Sequence, residues 1–119
     1  MKLLTLIPLL AFRAAAQAPV EFNFAGTQCF HYDTPVPARS TLEICGALPK
    51  AEVVLWKFTA GADLPVSIRA EHAPSSLVSH AAARISGGQF IAPTDGRYCW
   101  SWKNTNGTEV PFAMEMEHP

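Results

Sequence analysis

Three cysteines, none at Cys-x-x-Cys spacing, and no apolar run long enough to cross a bilayer set the first limits on this chain. A membrane helix takes about 20 apolar residues. The longest apolar stretch here, residues 3–12, falls well short of that and is interrupted by Thr5. No basic cluster or stripe is present, which argues against nucleic acid and acidic headgroups as partners. The signatures of common reaction centres are also missing: no Gly-x-Ser-x-Gly elbow, no phosphate-binding loop and no His-Glu-x-x-His. The spacing excludes a blue-copper site too, because no histidine follows Cys99 until His118. His31, His72 and His80 form no ligand set with it, so neither a metal nor another cofactor is expected, and the chain is read as a non-enzyme.

What is present begins with a leader. Met1-Lys2 gives a basic tip, residues 3–12 an apolar core, and Ala14-Ala15-Ala16 small residues for a signal peptidase. Residues 1–16 are therefore read as a signal peptide cleaved after Ala16. Without Lys2 and Arg13, nine Lys and Arg become seven against ten Asp and Glu, and the net charge moves from −1 to −3. The mature chain is expected in the secretory-pathway lumen (ER or Golgi) or outside the cell. There, the odd cysteine count reads as one disulfide and one leftover thiol.

The rest of the sequence alternates. In Tyr98-Cys99-Trp100-Ser101-Trp102 the large aromatics take every second position, the mark of a strand with one buried face. Residues 41–47, 52–59, 63–69, 89–92 and 109–117 alternate similarly, separated by Gly, Pro, Asn and Asp. Gly61 is read as a break between two strands, and Pro65 as an edge or solvent-facing position. Residues 17–33 form an aromatic-rich arm or first strand, and residues 34–40 an extended connection through Pro35 and Pro37. From 70 to 86 the pattern weakens, and residues 79–84 are compatible with a helical turn or with a loop followed by a short strand. About seven to eight short strands at this spacing imply an all-β, antiparallel β-sandwich over residues 34–119.

The order of Gly88-x-Phe90, Asp95-Gly96-x-Tyr98 and Trp102-x-Asn104 carries a family resemblance. Trp56-x-Phe58 before Asp63-Leu64, and Val36-Pro37-Ala38-Arg39 before Glu43-Ile44-Cys45, extend it. Together these resemble a GOLD domain, the luminal β-sandwich of the p24 (emp24-type) trafficking proteins, over residues 34–118. The resemblance implies a protein-interaction module of ER–Golgi vesicle transport, with cargo or p24-like proteins as partners. It also implies a disulfide between Cys45 and Cys99, with Cys29–Cys99 as the rival pairing. The family's second cysteine falls where this chain has Ser101; Cys99 is two residues earlier, on the same strand face. Both Cys45 and Cys99 lie on the polar-facing sides of their strands. A p24 protein continues into a coiled coil and a membrane helix; the sequence to Pro119 shows neither, so a free-standing relative or a truncated chain is expected.

Three constellations carry candidate functions. Asn106-Gly107-Thr108 is a glycosylation sequon in a predicted hairpin loop, although Asn-Gly alone also suits such a turn. Trp56, Trp100 and Trp102 are either core or a sugar-stacking platform, and the latter makes a secreted carbohydrate-binding module the alternative function. The long, weakly patterned stretch around His72, Ser75, Ser76 and His80 is the candidate recognition loop.

Overall fold

The computed structural model describes residues 18–24 and 28–119. The leader read from residues 1–16 lies outside the described residues. The alternation of residues 96–104 becomes strand β6 (Gly96–Asn104), which buries Tyr98, Trp100, Trp102 and Asn104 on one face. It is numbered sixth because β1 (Val20–Glu21), β2 (Cys29–Val36), β3 (Ser40–Leu48), β4 (Val53–Ala70) and β5 (Val78–Ile91) precede it, and β7 (Val110–Glu117) follows. The β3–β6 pair runs antiparallel, setting Leu42 opposite Trp102, Ile44 opposite Trp100 and Cys45 opposite Cys99.

Strand β4 organises the two layers. Its second half, Val66 to Ala70, pairs with β6, whereas its first half, Leu55 to Ala60, pairs with β7. One layer therefore runs β1-β3-β6-β4 and the other β4-β7-β2, and β5 follows β4 along both halves. The strand bends where its register with β5 slips. From Thr59 to Leu64, β4 advances five residues while β5 advances two, from Ile85 to Ala83. Such extra residues bend a strand and increase its twist. Gly61 sits in this bend and does not end the strand: a Cβ there would meet the Pro111 ring at 2.8 Å, so only glycine lets β4 cross β7 this closely. Pro65 is exposed and falls at a second register slip, where no ladder donor is needed. The strand that contains it is not a sheet edge.

Between the layers, aromatic side chains form two neighbouring groups. Trp100 packs edge-on against Phe22 (5.6 Å) and Phe90 (5.4 Å), and Trp102 against Phe58 (5.7 Å) and Phe112 (4.8 Å). Val54, Ile68, Met114 and Met116 fill the space around them. Phe22 reaches its place because Gly46 has no side chain; a Cβ there would lie 2.6 Å from the ring.

The sandwich expectation holds, with corrections at its margins. The arm is part of the sheet, and its β1 runs parallel to β3, so the sheet is mixed where pure antiparallel pairing was expected. The boundary drawn at residue 34 falls inside β2, because Pro35 stands opposite Pro111 and neither is asked to donate. Residues 79–84, open to a helical turn on their alanines, are extended because β4 supplies a ladder for them.

One buried polar residue ties the turns at one end. Asn104 is 1% exposed. Its Nδ2 donates to the carbonyls of Val36 (3.1 Å), Pro37 (3.1 Å) and Thr108 (3.0 Å), while its Oδ1 accepts from the Asn106 backbone N–H and Nδ2, both at 2.9 Å. Replacing it leaves several backbone groups without a partner, at about 1–3 kcal/mol each for buried ones. Asn104→Leu is expected to lower unfolding free energy by about 2–3 kcal/mol in a denaturant titration. A loss below about 0.5 kcal/mol, the range of ordinary surface changes, would show that the tie is unimportant.

Candidate binding surface

The face of β3 and β6 opposite the core is where chemistry-bearing residues gather. Cys45 and Cys99 form a disulfide there with a Cα separation of 4.1 Å, which decides between the two pairings considered above; Cys29 lies exposed at the start of β2, outside this bond. Contrary to the expectation of a wet face, both half-cystines are buried. The register explains it. Glu21 of β1 stands beside Cys45, and Arg69 of β4 beside Cys99, so the bridge sits at the centre of four strands.

Charged side chains close over it. Arg69 Nη2 donates to Glu43 Oε2 at 3.0 Å. Arg97 Nε donates to Glu71 Oε2 at 2.9 Å, and the same guanidinium forks onto Glu21, with Nη1 to Oε1 at 2.7 Å and Nη2 to Oε2. The hydrogen bonds from Arg97 hold the Glu21 carboxyl below its ordinary value against the opposing effect of burial, and the arginine's charge adds to the lowering. Glu21 and then Glu71 raise the Arg97 guanidinium further above its already high value. Glu71 also approaches both sulfurs, but their bond to each other leaves no thiolate to hold a metal.

This network positions the loop of residues 71–77, which joins β4 to β5. The Glu71 N–H donates to the Arg97 carbonyl (2.8 Å), Ala73 N–H to the Ala70 carbonyl (3.0 Å) and Leu77 N–H to the Ile68 carbonyl (2.8 Å). The loop is thus tied at both ends. His72 adopts φ 67°, a left-handed conformation uncommon outside glycine. The loop presents Ser75, Ser76 and Leu77 outward, with Leu77 52% exposed.

The expected recognition residues therefore divide. His72, Ser75 and Ser76 share this loop, but His80 lies within β5, where Nδ1 is 3.3 Å from Ser86 Oγ and the ring packs edge-on against Trp56 at 5.3 Å. It is a half-buried packing residue because the strand starts earlier than the weak pattern indicated. The sequence pattern does not single out Leu77 or the anchoring Arg97: the one has no patterned neighbours, the other is a polar residue in an alternating strand. Asn106 stands exposed in the β6–β7 turn. Trp56, Trp100 and Trp102 are 4%, 0% and 0% exposed, so the sugar platform imagined from them does not exist. Inward alternation takes all three into the core.

No family model matches the sequence, and no curated protein matches it. Solved structures do resemble the fold. PliG of Aeromonas hydrophila, a periplasmic inhibitor of g-type lysozyme, superposes with TM-score 0.74 at 13% identity over 89% of this chain and 100% of its own. The pre-peptidase C-terminal domain of a Bacillus anthracis collagenase gives 0.66 at 10% identity over 88% and 99%. CorA, a surface-associated copper-binding protein of Methylomicrobium album BG8, gives 0.63 at 11% identity over 89% and 100%. At these identities the likeness concerns the fold.

The electrostatics make a pH prediction. A carboxyl held below its ordinary value contributes stability at neutral pH and loses it as pH falls through the lowered value. Hydrogen-exchange protection of the Phe22 amide, which bonds the Cys45 carbonyl at 2.9 Å, is expected to drop below the usual carboxylate range. In Glu21→Gln this amide should already be weakly protected at neutral pH and show no further drop in acid. An unchanged acid-induced drop in that variant would mean that another group holds the arm.

Proposed function

We propose that this chain is a non-enzymatic, secreted protein-binding module that contacts its partner through the loop of residues 71–77. The observation that carries this reading is an exposed leucine on a loop that is already held. Leu77 follows Ser75 and Ser76, and both ends of the loop are tied to β4 and β6. A preorganised loop loses little freedom on binding, so more of its contact energy appears as affinity. Secretion is supported by the leader pattern of residues 1–16 and by a disulfide of the kind that persists in oxidising compartments.

Fold alone does not assign a partner. The same architecture serves a periplasmic lysozyme inhibitor and a surface-associated copper-binding protein. This is consistent with a scaffold that binds and does not catalyse. The finer reading, a GOLD-type role in ER–Golgi transport with p24-like partners, rests on the sequence resemblance.

The test compares the mature protein with Leu77→Asp as baits for secretory-pathway and periplasmic extracts, beside direct titrations with a g-type lysozyme and a p24 luminal domain. We expect proteins held by the parent to be lost at least tenfold with Leu77→Asp, while Glu109→Gln on the opposite turn changes nothing. Identical captures by parent and Leu77→Asp would overturn the assignment of the loop. Retention of oligosaccharides with no protein would overturn the function.

A further inference from the structure

Strand β5 has a partner on one side only: among the described residues it pairs with β4 and with nothing else. A long unpaired edge is a template for another strand, and proteins usually blunt it with charge, proline or a bulge. The extra β5 residue between His80 and Ala83, together with the charge of Arg84, blunts the first half of β5. The second half, Ile85-Ser86-Gly87-Gly88-Gln89-Phe90-Ile91, has no charge and no proline. Among the described residues it also carries the two most exposed of the large apolar side chains, Ile85 at 73% and Ile91 at 54%. Both lie on the outer face, the side that also shows Leu55 at 39%.

Their spacing is symmetric. Ile85 and Ile91 are each three residues from Gly88. We propose that two copies of this chain join β5 to β5 antiparallel, about a two-fold axis at Gly88. That register sets Ile85 of one copy opposite Ile91 of the other, twice, and Ser86 opposite Phe90. Gly88 stands opposite itself, so the axis meets no side chain. Directly opposed apolar side chains are the stabilising unit of a sheet. A one-residue slip faces Ile85 with Phe90, whose side chain points the other way, and a two-residue slip faces it with Gln89 or Pro93.

Charge agrees with a second copy as the occupant. No like charges meet across the seven neutral residues, and the nearest cations are already engaged, Arg84 with Asp63 at 3.8 Å and Lys57 with Glu115 at 3.4 Å. Joined this way, the β2-β7-β4-β5 layers of two copies become one continuous sheet. An edge contact of seven residues is smaller than the standard stable interface of about 1,200–2,000 Å², so the dimer forms at the concentrated end of a dilution series. The proposal is independent of partner binding by residues 71–77.

The experiment is sedimentation equilibrium of the disulfide-intact mature chain over a wide concentration range, with folding of each variant checked by near-ultraviolet dichroism. The parent is expected to pass from one chain to two. Ile85→Lys alone and Ile91→Glu alone should each weaken association at least tenfold. The double variant should recover most of it, because each introduced charge then faces its opposite across the axis. Leu77→Asp should dimerise like the parent. A parent that stays monomeric throughout, singles that dimerise unchanged, or a double no better than the singles would each overturn the proposal.

Discussion

The pairing of Cys45 with Cys99 across β3 and β6 decides which side of these strands faces inward, and the two layers are built on that decision. Side chains alternate across a strand, so fixing the odd positions on one face puts Ile44, Tyr98, Trp100 and Trp102 on the other. A slip of one residue would turn every one of them outward. The disulfide, which closes a sequence separation of 54, makes that slip impossible without breaking a covalent bond. The arrangement has a cost, since the Trp100 and Trp102 indole N–H groups are buried with no hydrogen-bond partner among the described residues. Each such group costs about 1–3 kcal/mol. Burying an aromatic side chain of 150–250 Å² contributes about 4–6 kcal/mol at 25 cal/mol per Å². Burial wins.

Once β6 is fixed, β4 carries the decision to the second layer. It lies beside β6 with Ile68 opposite Trp100, bends through Gly61, and then lies beside β7 with Phe58 opposite Met114. The inward face is kept through the bend because the extra residues of the bulge absorb the turn. The same hairpin supplies both proposed contact regions. Its loop is held next to the disulfide by Arg97 and Glu71, and its free edge is exposed beside the second layer.

Much of this was legible wherever one periodicity acted alone. The inward sets of β3, β6 and β7 follow from alternation, and Leu42, Ile44, Trp100, Trp102, Phe112 and Met114 are buried as that pattern requires. Legibility failed where a partner strand overrode local chemistry. Gly61 and Pro65 look like punctuation in isolation, yet β4 runs through both because a bulge and a close crossing accommodate them. The alanines of residues 81–83 carry no strand signal, and only the ladder offered by β4 makes them extended. Cys45 and Cys99 looked exposed because their strand neighbours are polar. Those neighbours, Glu43 and Arg97, pair with Arg69 and Glu71 from β4 and its loop, and the Glu71 carboxylate comes close to both sulfurs. In the candidate site, the loop's approximate place could be read, but not the leucine that projects from it or the arginine that holds it.

The chain thus combines a doubly layered frame, stapled at β3 and β6, with both proposed contact regions on one hairpin. Alternation on β4 and on the stapled β6 hides all three tryptophans between the layers. Acrylamide quenching of tryptophan fluorescence in the native, oxidised protein tests it most directly. Tryptophans buried in this way are expected to give blue-shifted emission that the quencher scarcely reaches until the protein unfolds. Red-shifted emission quenched as readily as in the unfolded chain would contradict it.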